Sequence, residues 1–211
     1  MDTHTHFPAP HPPNHHAHHH PFRGSSGAAI ALAMAARGGD RARLAIALTG
    51  VGPQDTVVDL GCGPGTAVRR AARLGATAIG VDPAHVMRRV ATSLSLGRSR
   101  VRYVDGRAEA IPLDDASATV VWSIATVHHW QDIDAGVAET RRVLRPGGRF
   151  LAGERHTEPG AQGLHSHGWT PEQAEAFADA CRAHGFVDVR VEGHRTNRHD
   201  VLAALAAAPA S

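Results

Sequence analysis

The stretch Val57-Val-Asp-Leu-Gly-Cys-Gly-Pro-Gly65 constrains the fold more than any other part of the chain. A short β-rich run enters a turn with glycine at alternate positions, directly after an aspartate. Glycine lets the backbone pass close beneath a bound molecule. A strand that feeds such a turn and then a helix belongs at the carboxyl edge of a parallel sheet, where open α/β sheets bind ligands. An ordinary strand-to-helix turn has no need of three glycines.

The flanking pattern agrees. The sequence predicts strands at 56–60, 76–81, 101–104, 119–123 and from 149 to 152. Helices are expected at 66–74, 83–96 and 133–144, the second opened by Pro83 and the third stopped by Pro146-Gly147-Gly148. Strands alternating with helices mean a doubly wound, Rossmann-like α/β sheet, mostly parallel, with helices on both faces. Upstream, 26–36 and 41–48 read as helices, with Asp40 capping the second. Downstream, 156–170 is a polar, Gly-rich loop, Pro171 opens a helix to about His184, and 186–191 alternates as a strand. The segment 201–207 is rich in alanine, which by propensity favours helix.

Asp82, at the end of the second strand, falls about 20 residues after the first glycine of the turn, the spacing at which an acid meets a ribose diol. It can also cap the helix that follows. Glycine turn and acid together point to a nucleoside. The glycines run Gly-x-Gly-x-Gly, with Thr66 where a dinucleotide fingerprint would place its third glycine. That spacing favours a ligand without a pyrophosphate. Asp59 beside the loop would attract an ammonium group. S-adenosylmethionine (SAM) has both properties.

Composition closes off other classes. The 211 residues hold 22 basic and 20 acidic side chains, a net charge of +2, so no strong field favours nucleic acid or an anionic membrane. All the basic residues are arginine, and a chain without lysine has no Schiff-base or Walker-type lysine. The pairs and triplets at Arg69, Arg70 and Arg73, at Arg88 and Arg89, and at Arg141, Arg142 and Arg145 read as solvated helix faces. Two cysteines, Cys62 and Cys181, build no disulfide framework and suit a reduced cytoplasmic setting. Cys62 has no base beside it and reads as a packing residue. No signal peptide or membrane span is expected. Residues 1–24 hold eight histidines among prolines and read as a disordered tail ahead of a domain over 25–211. The tail could take up a divalent metal adventitiously; no dedicated metal site is expected.

With these residues in view, the sequence resembles the class I SAM-dependent methyltransferases, in particular the small-molecule group that includes the ubiquinone and menaquinone methyltransferases. Residues 57–65 match the first motif of that family. Ala78-Ile-Gly-Val-Asp-Pro83 with Met87, Gly106-Arg-Ala-Glu-Ala-Ile-Pro-Leu113, Val127-His-His-Trp130 and Glu139-Thr-Arg-Arg-Val-Leu-Arg-Pro-Gly-Gly148 are similar to the later ones, in order, over roughly residues 50 to 155. The resemblance implies SAM as cofactor. By it, Asp59 and Gly61 lie at the methionine end and Gly63 and Gly65 shape the loop. Asp82 binds both ribose hydroxyls, Pro83 and Met87 pack on adenine, Ala108 offers its N–H to the ring, and Ser123 lies near the methionine amine. Arg107 stands where many relatives carry an aspartate that accepts from adenine, and arginine offers no acceptor. The resemblance also turns 201–207 into an antiparallel C-terminal strand, against its propensity.

Methyl transfer needs the nucleophile, methyl and sulfur held in line and dry. A base is required only where the acceptor must lose a proton. His128, His129 and His156, placed after the fourth and fifth strands, are the candidate bases, with Glu154 as the alternative. The loop holding His165, His167 and Trp169 is expected to cover the pocket of a small-molecule acceptor, methylated on O, N or C. The competing readings are a nicotinamide oxidoreductase, which the glycine spacing disfavours, and a SAM-binding protein without catalysis.

Overall fold

In the computed structural model, residues 24–161 and 167–210 are described. The His-rich segment and His165 lie outside them. Two helices, α1 (Gly24–Arg37) and α2 (Gly39–Thr49), precede β1 (Thr56–Leu60). Then come α3 (Thr66–Arg73), β2 (Thr77–Val81), α4 (His85–Ser93), β3 (Val101–Val104), β4 (Ala118–Ile124), a 3-10 turn (Val127–His129), α5 (Ile133–Val143), β5 (Leu144–Arg155), α6 (Pro171–Ala183), β6 (Val187–Arg195) and β7 (Asp200–Ala207). The strands form one seven-stranded sheet in the order β3-β2-β1-β4-β5-β7-β6. β7 runs antiparallel to both neighbours and the rest is parallel. The expected doubly wound sheet is thus present.

The central strands are buried on both faces, so they read as continuous apolar runs. Val57, Val120, Trp122 and Leu151 face α2 and α3. Val58, Val121, Phe150 and Ala152 face α5 and α6, where Phe177 meets Trp130 edge to face and Trp169 at a tilt. Trp122 is fully buried, and its indole N–H donates to the Thr49 hydroxyl at 3.1 Å, which bonds on to the Ala45 carbonyl. One indole therefore pins β4 to α2 with every polar atom satisfied.

The alanines of β7 do form a strand. Ala203 and Ala204 are at most 2% exposed, paired to β5 on one side and β6 on the other. Double pairing and burial outweigh intrinsic propensity here, and small side chains suit a strand with α6 packed against it.

Several boundaries differ from the sequence reading. Asp40 does not cap α2: the cap position is Gly38, and Asp40 lies in the first turn, ion-paired to Arg43. The helix expected from Pro83 starts at His85, because the Asp82 side chain holds the Ala84 N–H in an extended cap. After Val143 the chain is already extended, and Leu144 pairs with Ala118 across a register shift, so β5 is longer than expected. The Arg-rich helix faces are not simply solvated either. Arg69 is 8% exposed and donates to the Pro64 carbonyl in the glycine turn. Arg88 donates to the Asp82 carbonyl, and Arg142 reaches the carbonyls of Ile111 and Leu113 as well as Glu139. A guanidinium has donors enough to tie several loop carbonyls at once; Arg69 and Arg88 brace the carboxyl edge, while Arg142, in the last turn of α5, braces the segment that leads into β4.

Candidate active site

β1 ends under a turn that no other residue type would allow. Gly61 has φ +65°, and a Cβ there would sit 2.5 Å from Thr126 Cγ2. Thr126 is this close because its hydroxyl donates to the Leu60 carbonyl and accepts from Ser123. Gly65 has φ +75°, and a Cβ there would meet the Tyr103 hydroxyl at 2.2 Å. Gly61 and Cys62 donate N–H groups to the Val81 carbonyl at 2.8 and 3.1 Å, tying the turn to the end of β2. Thr126, Tyr103 and Arg69 thus shape the loop. None was legible in the sequence, since each acts across the sheet.

Asp82 completes the tie. One carboxylate oxygen accepts from Gly63 N–H and the other from Ala84 N–H, both at 2.8 Å. Burial raises its carboxyl, opposed by these two bonds and by Arg88. Two acceptors held by rigid backbone still have free lone pairs, so the carboxylate is oriented before any diol arrives.

Asp59, 3% exposed, accepts no hydrogen bond among the described residues. Burial, and then the charge of Asp82, push its carboxyl up to about 8. A buried carboxyl without a hydrogen-bond partner, beside the glycine turn, suits a ligand carrying an ammonium and a sulfonium. The residues present therefore fit SAM. One consequence is measurable. At pH 7 Asp59 is protonated in the free protein, whereas a bound ammonium favours the carboxylate. Affinity for S-adenosylhomocysteine (SAH), which keeps the ammonium, should rise with pH to about 8 and then level off, by up to about tenfold per unit. For folding the sign is opposite: the Asp59 contribution is fully present below its ordinary value of 3.8 and is lost as pH rises towards about 8. Calorimetry in buffers of different ionisation enthalpy should show proton release on SAH binding; a flat pH profile with no release would refute this role.

The remaining expected cofactor residues flank the turn. Met87 and Ala108 are buried, while Pro83 is exposed. Arg107 is exposed and turned to Gln131, at 3.4 Å. Ser123 is fully buried with its hydroxyl spent on Thr126, so it supports the turn from below.

The three expected bases separate. His128 lies in the 3-10 turn after β4, its Nδ1 3.0 Å from Glu154 Oε2, and its backbone N–H points at Glu154 Oε1. Glu154, in β5, is 1% exposed. The rings of His128, His129 and His167 pack together, with His128 and His167 stacked at 5.1 Å. Of the pair after β4, His129 is the exposed one. His156 lies beyond the end of β5, its N–H bonded to the Asp200 carbonyl and its ring acting on the exposed Glu172. Among the described residues no group of His, Cys, Asp or Glu has the arrangement of a metal site. The Cys62 thiol is pushed well above its ordinary range by burial and the two nearby carboxylates, which removes it as a nucleophile.

Residues 58–152 match the family model described as a methyltransferase domain. The chain is 35% identical over 97 residues to an uncharacterized methyltransferase, YcgJ, of Bacillus subtilis, covering 45% of this chain and 38% of that protein. It is 32% identical over 114 residues to the 27-O-demethylrifamycin SV methyltransferase of Amycolatopsis mediterranei, covering 52% and 42% respectively. The matches span 30% to 38% of the length of the first curated relatives. Among solved structures, the complex of the Haloferax volcanii Trm112 methyltransferase activator with a methyltransferase contains a chain of the same fold, with a TM-score of 0.75 at 23% identity over 87% of this chain and 95% of that one. The glycine turn, the Asp82 tie and the unpartnered Asp59 all fall within the matched stretch, and residues 58–152 form a SAM-dependent methyltransferase domain, with SAM as its cofactor.

Proposed function

We propose that this chain transfers the methyl group of SAM to a small organic acceptor and that His128 takes the proton where the acceptor has one to lose. The observation that carries the base assignment is the His128–Glu154 pair: a ring nitrogen 3.0 Å from a fully buried carboxylate, at the carboxyl edge next to the turn. The backbone N–H of His128 also donates to Glu154, which suits an ionised acid. An ionised Glu154 makes Nδ1 the protonated nitrogen, so Nε2 is left with its lone pair. Bound SAM supplies a methyl group already activated on a sulfonium.

The chain's own tasks are positioning, dryness and proton transfer. Asp82 and the glycine turn fix the nucleoside end, and Asp59 faces the ammonium. α1 lies over the turn: Thr66 donates to the Ala35 carbonyl, and Met34 Cε lies 3.8 Å from where a Cβ of Gly63 would be. His128 Nε2 accepts the proton of a hydroxyl or an acidic carbon, and Glu154 stabilises the resulting imidazolium. An amine or thiolate acceptor needs no such step. Within the described residues no helix is long and apolar enough to cross a membrane, and free, buried Cys62 and Cys181 suit the cytoplasm in which we place the reaction.

The direct test is SAH titration by calorimetry, with NAD as control, followed by a metabolite screen scored by SAM consumption. NAD binding without SAH binding would sink the reading. Residues 25–211 are taken as the working domain. Deleting 1–22 should leave SAH affinity unchanged and should sharply reduce any binding of nickel or zinc near neutral pH. Unfolding on deletion would put the domain boundary elsewhere.

A further inference from the structure

Arg41 stands in the first turn of α2 at the carboxyl edge of the sheet, lining a cleft with Ile124, Leu151, Gly153 and Val201. It is partly buried among apolar side chains, yet its guanidinium makes no hydrogen bond and no ion pair among the described residues. The neighbouring acid, Asp40, is taken by Arg43. A partly desolvated guanidinium with no protein partner among the described residues is a cost that folding gains nothing from.

The neighbours deepen the imbalance. Leu151, Gly153 and Arg155 alternate onto the face of β5 that α2 covers, and Val201 pairs with Arg155 in the register. Arg155 and Arg41 are close enough to repel, and both, with Arg198, act on the ring of His199. Among the described residues, the acids facing this group are Glu154, on the opposite face of β5 and held by His128, and Asp200, which lies 4.0 Å from Arg195. Positive charge is thus gathered beside the His128–Glu154 pair, with one guanidinium left unsatisfied. A bidentate fork of this kind matches a carboxylate or a phosphate.

We propose that the methyl acceptor carries an oxyanion group, and that Arg41 binds it, aided by the field of Arg155, so as to bring the reacting atom towards His128. This rests on the methyltransferase reading and adds the acceptor's chemical class to it. The site selects for charge at one end of the acceptor and leaves the reacting end neutral.

The test uses the full chain saturated with SAH and three matched probes: benzoate, phenyl phosphate and neutral benzamide. Benzoate, phenyl phosphate or both should bind and raise the melting temperature, whichever of the two does so naming the oxyanion, and benzamide should not. Arg41→Gln should weaken the anion by roughly 10–100-fold, and Arg41→Lys by less, while SAH affinity holds in both. Without ligand, Arg41→Gln should melt no lower than the unaltered protein, because it removes a desolvated charge; a structural arginine would lower it. Benzamide binding as well as the anions, anion affinity unchanged in Arg41→Gln, or no anion binding at all would each overturn the proposal while SAH still binds. Absence of SAH binding would instead overturn the reading beneath it.

Discussion

With a hydroxyl acceptor, His128→Ala should lower the maximal rate by about 10²–10⁴-fold while SAH affinity stays nearly constant. The same substitution at exposed His129, or at His156 beyond the strand end, should be mild. Glu154→Gln is the sharper companion. It preserves shape and burial, but an amide can turn its NH₂ towards Nδ1 and stabilise the tautomer that presents a proton, instead of a lone pair, to the acceptor. It should therefore lower the rate towards that of His128→Ala, and the double variant should be little worse than either alone. The measurement is steady-state kinetics on one identified hydroxyl acceptor. Full activity in His128→Ala would exclude the ring as base and leave positioning alone.

The second large effect is expected at Asp82. Asp82→Ala removes the acceptor for Gly63 and Ala84 as well as the partner of the ribose diol. SAH affinity should fall by about 2–3 kcal/mol, some 30–150-fold, since charge-assisted hydrogen bonds are lost and the buried Gly63 N–H and part-buried Ala84 N–H are orphaned. The melting temperature should fall too, because those donors are orphaned even without ligand. Asp82→Asn separates the two roles: its single carbonyl oxygen can satisfy one N–H, but its NH₂ then opposes the other. An Asp82→Ala protein with unchanged SAH affinity would remove this residue from the cofactor site.

What was legible in the sequence followed chain proximity. β1 and β3 fall within the residues expected, because each is a short apolar run bounded by turn residues. The Gly61–Gly65 turn and Asp82 were legible because a fixed spacing links them. The chemistry between distant segments was not. Glu154 meets His128 from 26 residues away, and only strand order makes β4 and β5 neighbours. Arg69 reads as one more helical arginine until the turn it braces is seen beside it. Arg41 is equally mute in sequence, since what distinguishes it is the partner it lacks. β7 was reached by resemblance, where composition pointed the other way. Asp40 misled because Asp before a helical run is a good cap signal, and here the helix simply begins two residues earlier than expected, at Gly39.

The sheet order also dictates how the molecule can assemble. β7 follows β6 along the chain but lies between it and β5, so β6 joins the sheet only through β7. The parallel core, β3 to β5, can close first, leaving the flank of β5 open as a sticky template in the meantime. Contacts between 149–155 and 200–207 are long-range and close late. Arg190, Glu192 and Arg195 on the outermost strand keep that half from pairing with other chains while it waits. Amide hydrogen exchange during refolding should therefore protect β1 and β4 early and β6 last. An intermediate that has a finished nucleotide cradle but lacks the β5–β7 junction would bind cofactor before it can hold an acceptor.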